Sequence, residues 1–406
     1  MICADMIGKC PGKGIDDMLI SIVMPVYNNE TYFPLAVKSI TQQDYSEWEL
    51  IIVDDGSTDQ TPALADEIAR QDRRITVIHQ ENQWIYASFN RGIDAAKGDY
   101  IYILNSDDRI RPGSLRKMAE KAKEYCPDVV WTKVLIHRCD EQQKILSYNI
   151  GGTDELVQDD EFYPDRETVR AHWPKLVFTF LARNQANLYR AELMKRNKFR
   201  TDVYGADTLF NVTIAPQVSS AFVMKEPVYD FFIYEQSQMN ASVGKFYPYE
   251  HDMFNEIYSR YMTLFSSWKI PEAYYKKRFV GDRIKQVSYE IRTLSCADCK
   301  LSTEEKLEHI LCKIPDGILL QCAELDHREE ELESRILSGI RGLLVREAIE
   351  EDSKMYFAFE LLESLLCYEK DEEDFRRIEA AIMHPCNPAH IGQTFYNKLR
   401  RMYNNR

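Results

Sequence analysis

Four aspartates stand in two adjacent pairs, Asp54-Asp55 and Asp107-Asp108, and each pair closes an apolar run. Leu50-Ile-Ile-Val53 precedes the first; Tyr100-Ile-Tyr-Ile-Leu104, then Asn105-Ser106, precedes the second. A continuous apolar run of this length reads as a strand buried on both faces. Carboxylates at its carboxyl end have no core to pack against, and in an open α/β sheet ligands gather at that edge. Hard oxygen ligands placed there suit Mg²⁺ or Mn²⁺ holding a diphosphate. Alone, Asn105-Ser-Asp-Asp108 reads more simply as a turn before a helix. Two pairs on one rim point to a site.

The elements that must position them alternate. Strands are predicted over residues 19–26, 50–53, 75–78, 100–104 and 129–136, each a short apolar run. Helices fall between, over 63–70, 88–96 and 112–125, with one more opening at Thr31 as cap and Pro34 in its first turn. That alternation predicts an α/β fold, a mostly parallel sheet flanked by helices. After about residue 245 the apolar residues recur at helical spacing, as in Met253, Phe254, Ile257, Tyr258 and Tyr261. Ser302-Thr-Glu-Glu305 reads as a capping box, and further helices are expected over 332–337 and 357–366. The expected domains are a disordered lead-in over 1–17, an α/β domain over 18–245 and a helical domain over 246–406.

Composition sets the limits. The chain has 406 residues, 45% hydrophobic and 29% charged, enough for a sizeable core. A net charge of -14 argues against nucleic acid as a partner, since that needs basic surface. No apolar run reaches the roughly 18 residues of a membrane span. Residues 1–17 lack the apolar core of a signal peptide. The 10 cysteines lack framework spacing, so reduced thiols and a cytoplasmic location are expected. Cys296 and Cys299 have no second tight pair to complete a zinc site. The basic apolar stretch 398–403 reads first as a plain terminal helix, and second as a peripheral contact to an anionic membrane's inner face.

The sequence resembles the family 2 glycosyltransferases, nucleotide-sugar-dependent enzymes of the GT-A fold. The resemblance rests on Ser21-Ile-Val-Met-Pro-Val-Tyr-Asn28, Ile51-Ile-Val-Asp-Asp-Gly-Ser-Thr-Asp59, Glu81-Asn82 with Asn90-Arg91-Gly92, and Asn105-Ser-Asp-Asp108. Asn187-Leu-Tyr-Arg190 and Gly205-Ala-Asp-Thr-Leu-Phe210 continue it. It implies an inverting transfer from a nucleotide-sugar donor to a glycan or lipid-linked glycan acceptor, with Mn²⁺ or Mg²⁺. Pro25 and Tyr27 would line the nucleobase pocket, and Asp55 would accept a bond from a uracil-like base. Asn90 and Asn105 would belong to the donor site, Asp107 would hold the metal, and Asp207 would be the general base. The plain alternative for Asp207 is a helix cap. Ala206 stands where the family keeps a second acid, so Asp207 is expected to keep an ordinary carboxylate pKa.

The chain departs from the family pattern at four further positions. Asn105 replaces an acid, Trp84 a glycine, and Phe89 and Phe232 two arginines. Arg91, Arg109, Arg183 and Lys225 are candidates to restore the missing charge. The resemblance implies that the acidic stretch of Asp154, Asp159, Asp160, Glu161 and Asp165 faces the acceptor, while such runs more commonly read as a solvated loop. Trp173 beside it reads as a loop anchor before it reads as a sugar platform. The same departures motivate an alternative, a binding or scaffold protein with a weakened active site. A nucleotidyltransferase would want a Gly-rich phosphate loop where Tyr27-Asn-Asn-Glu30 stands.

Overall fold

The computed structural model describes residues 18–140, 144–150, 157–177, 183–203, 205–234, 245–313 and Leu343. The chain divides into two compact units, residues 1–238 with 260–270, and residues 239–259 with 271–406.

In the first unit, β1 (Ile20–Val26), α1 (Phe33–Thr41), β2 (Trp48–Asp54), α2 (Thr61–Gln71), β3 (Ile75–His79), α3 (Ile85–Ala95) and β4 (Tyr100–Ile103) alternate as the apolar runs predict. All seven residues of β1 are buried, as a central strand requires. It pairs in parallel with β2 on one side and β4 on the other. Pro25 donates no ladder bond, and it lies past Val23, the last β1 residue paired with β4. Gly92 in α3 faces β1 so closely that a Cβ there would lie 2.4 Å from Val23 Cγ1, which seats the helix on the sheet. α1 corrects one expectation: Thr31 is not its cap. Tyr32 holds that position without a side-chain bond, and Asn29 Oδ1 accepts the Tyr32 N–H at 3.3 Å instead. The chain is still turning at Thr31, so its hydroxyl precedes the first helical N–H groups.

Beyond β4 come β5 (Arg109–Ile110), α4 (Ser114–Tyr125), β6 (Val129–Cys139), β7 (Ile145–Ile150), β8 (Glu161–Tyr163), α5 (Arg166–Val177), β9 (Leu188–Arg190), α6 (Ala191–Arg196), α7 (Ala206–Ile214) and β10 (Ala221–Tyr234). The 10-stranded sheet runs β3-β2-β1-β4-β9-β6-β10-β5, with β7 on β6 and β8 on β10. It is mixed. β3-β2-β1-β4 and the β6–β10 pair are parallel, while β5, β7, β8 and β9 join antiparallel. Strands of two or three residues carry no period that sequence could show.

The acidic stretch is tied down where it is described. Asp159 pairs with Lys225 at 3.2 Å, Glu161 with Lys175 at 2.9 Å, and Asp165 Oδ1 accepts the Thr168 N–H at the start of α5. Asp154 lies outside the described residues. Trp173 is fully buried, its ring 5.5 Å from Trp131 and 5.9 Å from Trp268. It is the loop anchor.

The second unit carries the start of α8 (Glu250–Ser267), then α9 (Lys276–Thr293) and α10 (Thr303–Lys313). The capping box forms: Glu305 accepts the Ser302 N–H at 2.7 Å, and Ser302 Oγ accepts the Glu305 N–H at 3.2 Å. His251 Nδ1 meets Glu290 at 3.0 Å in its interior. The expected helices over 332–337 and 357–366, and the basic stretch 398–403, lie outside the described residues. Among the described residues, Cys139, Cys296 and Cys299 are not in disulfides. Cys126 is disulfide-bonded, which corrects the expectation of wholly reduced thiols. No helix among the described residues is long and apolar enough to cross a membrane.

Candidate functional site

The parallel registers put the carboxyl ends of β3, β2, β1 and β4 along one edge, with Val26 level with Asp54 and Val23 level with Ile103. Both aspartate pairs therefore reach the same rim. Within each pair the two carboxylates divide the work.

Asp54 serves the scaffold. Its Oδ1 accepts the Ser57 N–H at 3.1 Å and its Oδ2 meets His79 Nδ1 at 2.8 Å. Asp55 is buried too, but both its bonds fall on one oxygen: Oδ1 accepts from Gln80 Nε2 at 2.8 Å and from the Gln83 N–H at 2.9 Å. Oδ2 is left for a ligand. The turn that presents it needs Gly56, at φ +76, where a Cβ would lie 2.9 Å from the Asn82 nitrogen.

Asp108 repeats the role of Asp54. It is fully buried and accepts from the Tyr229 hydroxyl at 2.6 Å, the Phe232 N–H at 2.9 Å and Asn105 Nδ2 at 3.3 Å. Burial pushes its pKa well up, the nearby Asp107 adds to that, and the three donors oppose it. Asp107 is half-buried as a residue, yet its Oδ1 is shielded from solvent and has no hydrogen-bond partner. Burial raises its pKa to about 6. An oxygen left bare in this way fits a cation, which would satisfy it and favour the charged form. Asn105, expected at the donor site, spends its amide here: Nδ2 goes to Asp108 and Oδ1 accepts from Gln185 at 3.4 Å. Among the described residues no group of three or more His, Cys, Asp or Glu is placed to hold a metal. A metal at Asp107 would therefore take its other oxygens from ligand and water.

Two cations stand free beside these carboxylates. The Arg109 guanidinium lies 4.3 Å over the Phe232 ring and forms no ion pair with a described residue. Arg183 is half-buried, and its burial pulls its pKa down while Tyr229, Asp108 and Asp207 pull it back. It stays charged. Arg91 is exposed on α3, and Lys225 is engaged by Asp159.

Asp207 lies in the first turn of α7, whose N-cap is Gly205. It is not the cap. The Tyr86 hydroxyl accepts the Gly205 N–H at 3.1 Å and reaches Asp207 Oδ1 at 3.4 Å. The expectation of an ordinary pKa is corrected. Burial raises it to about 6, against backbone N–H groups, Tyr86 and the Arg183 charge, which all lower it. The missing neighbouring acid removed one cause of a raised pKa but not the larger one, desolvation.

Of the remaining expected residues, Tyr27 is 51% exposed at the end of β1, with Pro25 buried two residues behind it. Asn90 is spent elsewhere. Its Nδ2 donates to the Phe199 carbonyl and its Oδ1 accepts the Phe199 N–H, both at 2.9 Å. It clamps a loop to α3. Tyr86, Tyr229 and Gln185 were not legible as site residues, because each acts through a contact with a segment distant in sequence.

Residues 21–193 match the family model for glycosyl transferase family 2. The match ends before Asp207. Glycosyltransferase GlyG of Streptococcus pneumoniae serotype 4 is 37% identical over 142 residues, 35% of this chain and 46% of that protein. GalNAc(5)-diNAcBac-PP-undecaprenol beta-1,3-glucosyltransferase of Campylobacter jejuni is 24% identical over 232 residues, 57% of this chain and 70% of that protein. A crystal structure of S. aureus TarS 1-349 with UDP superposes at a TM-score of 0.47 and 17% identity, over 82% of this chain and 93% of that one. The chain spans 62%, 46% and 33% of three curated relatives that it matches. Residues 21–193 thus match a family 2 glycosyltransferase domain.

Proposed function

We propose that this protein is an inverting, divalent-metal-dependent glycosyltransferase, moving a sugar from a UDP-sugar to a hydroxyl of a polysaccharide or lipid-linked glycan precursor. The observation that carries the proposal is the buried, unpartnered Asp107 Oδ1 on the rim that also presents Asp55. Asp55 Oδ2 accepts the imide N–H of the base. Asp107 holds Mn²⁺ or Mg²⁺, which when bound neutralises charge growing on the departing diphosphate. Arg109 and Arg183 add fixed positive charge from the protein, without proton transfer. Asp207, ionised above its raised pKa, takes the proton from the acceptor hydroxyl as it attacks opposite the leaving group. The name of the Campylobacter relative supports a lipid-linked acceptor.

The amide of Asn105, committed to Asp108 and Gln185, favours a second reading, a binding protein with little turnover. One screen separates the two: hydrolysis of, and transfer from, UDP-, GDP- and TDP-sugars with and without Mn²⁺. Metal-dependent turnover of a UDP-sugar supports the enzyme. Metal-dependent binding with no turnover toward any acceptor pool supports the scaffold, and no nucleotide binding at all overturns both.

A further inference from the structure

The strongest unexplained feature of the rim is Trp84. Its backbone sits at φ 73 and ψ 161, a conformation essentially reserved for glycine. Its side chain is 51% exposed, and the indole makes no hydrogen bond or ring contact with any described residue. A strained backbone supporting a large unpartnered aromatic calls for a reason beyond folding. Nothing in the packing of α3 supplies one, because the apolar face of that helix is made by Tyr86, Phe89 and Ile93.

Topology says what Trp84 stands beside. The strand order is β3-β2-β1. Asp55 follows β2, Tyr27 follows β1, and Trp84 comes from the segment that leaves β3. That segment is fixed against Asp55 by the Gln83 N–H at 2.9 Å, and its Asn82 backbone packs on the Gly56 turn. On the other flank, Asn28 is pinned to the same turn: its N–H donates to Ser57 Oγ at 2.9 Å, and its Oδ1 accepts the Thr58 N–H at 2.7 Å. The segments on both flanks of the Asp55 turn thus each carry an aromatic that is 51% exposed. Their parent strands are two ladder spacings apart, about 9.5 Å. Two rings on a planar ligand need about 7 Å between them, so side chains leaning inward from that span can close on one base.

We infer that Trp84 is the second wall of the nucleobase site, so that the base is held between Tyr27 and Trp84 while Asp55 reads its edge. This rests on the donor-site reading of Asp55 given above. The backbone strain at Trp84 is the means by which an indole is presented at a position where the chain geometry favours a residue without a side chain. Stacking is tolerant of base identity, so Trp84 contributes affinity for any nucleoside diphosphate and leaves the choice of base to Asp55.

Calorimetry on the full chain with Mn²⁺ tests it, with UDP and inorganic diphosphate as separate probes. Trp84→Gly should melt at or above the wild-type temperature, because glycine accepts this conformation. It should bind UDP about 5- to 150-fold more weakly, the equivalent of one lost base–aromatic stack, and bind diphosphate as wild type does. Trp84→Phe should restore most of the loss. The inference is overturned if Trp84→Gly binds UDP like wild type while Asp55→Ala does not, or if it weakens diphosphate as much as UDP. A Trp84→Gly protein that fails to fold would contradict the strain argument. If wild type binds UDP no better than diphosphate, the reading of Asp55 beneath it falls as well.

Discussion

Tyr229 and Asp108 are joined by a 2.6 Å hydrogen bond inside the core, where neither group reaches solvent. This bond ties the middle of β10 to the loop leaving β4. It also decides which aspartate of the second pair is free, since Asp108 is saturated by scaffold donors and Asp107 is not.

Asp107→Asn and Asp108→Asn should therefore fail in opposite ways. Asp107→Asn should fold with undiminished stability, because it removes a carboxylate whose pKa burial has raised to about 6. It should lose Mn²⁺-dependent nucleotide binding and transfer. Asp108→Asn replaces an acceptor of three bonds with a group that also donates, leaving buried polar atoms mismatched, so a cost of roughly 3 kcal/mol or more is expected. Urea melts of both variants with nucleotide titrations check the pair. A stable Asp108→Asn that binds no nucleotide would exchange the two roles.

Asn90 gives a cleaner contrast with the family expectation. Its amide is occupied twice by the Phe199 backbone. Asn90→Ala should cost about 1–3 kcal/mol for the two unpaired backbone groups, with the KM for donor unchanged at temperatures where it stays folded. A raised KM with wild-type stability would return Asn90 to the donor site.

His79 should make stability depend on pH. Its pKa is raised, first by the bond to Asp54, with Asp66 adding to it against burial. A group whose folded pKa lies above its unfolded value stabilises the protein below the unfolded pKa, about 6.5, and loses that contribution as pH rises through the folded pKa. His79 is 44% exposed, so solvent screening keeps the effect well under about 1 kcal/mol. His79→Gln should melt below wild type at about pH 5.5 and level with it by about pH 9. A difference that grows with rising pH would refute this sign.

Much of this was legible in advance for physical reasons. β1, β2 and β4 announce themselves because strands buried on both faces are written as unbroken apolar runs, and their aspartates stand out by having no place in a core. What sequence could not show was the division of labour inside each pair. Asp54 and Asp55 are neighbours of one type, and only contacts from His79, Gln80 and Gln83 distinguish them. The raised pKa of Asp207 was hidden for a related reason: desolvation depends on what packs around the carboxylate. The Tyr86 hydroxyl beside it comes from α3, 121 residues away in the chain.

Tyr86→Phe probes that contact. The hydroxyl lowers the Asp207 pKa, so its loss should raise it further. The acid limb of kcat/KM, which rises as Asp207 ionises through about 6 in wild type, should move to higher pH. The Gly205 N–H also loses an acceptor, at a cost of about 1 kcal/mol. An acid limb that stays in place, or moves lower, would mean that Asp207 does not set it.

The most direct measurement on the central claim is transfer by Asp207→Asn, with nucleotide and metal binding measured on the same protein. Asparagine keeps the size of the side chain and cannot take a proton, and it no longer titrates near 6. Binding should match wild type, transfer should fall by roughly two to four orders of magnitude, and the acid limb should vanish from the residual rate. Transfer at the wild-type rate would contradict the account and leave Asp207 as a half-buried residue of the α7 turn.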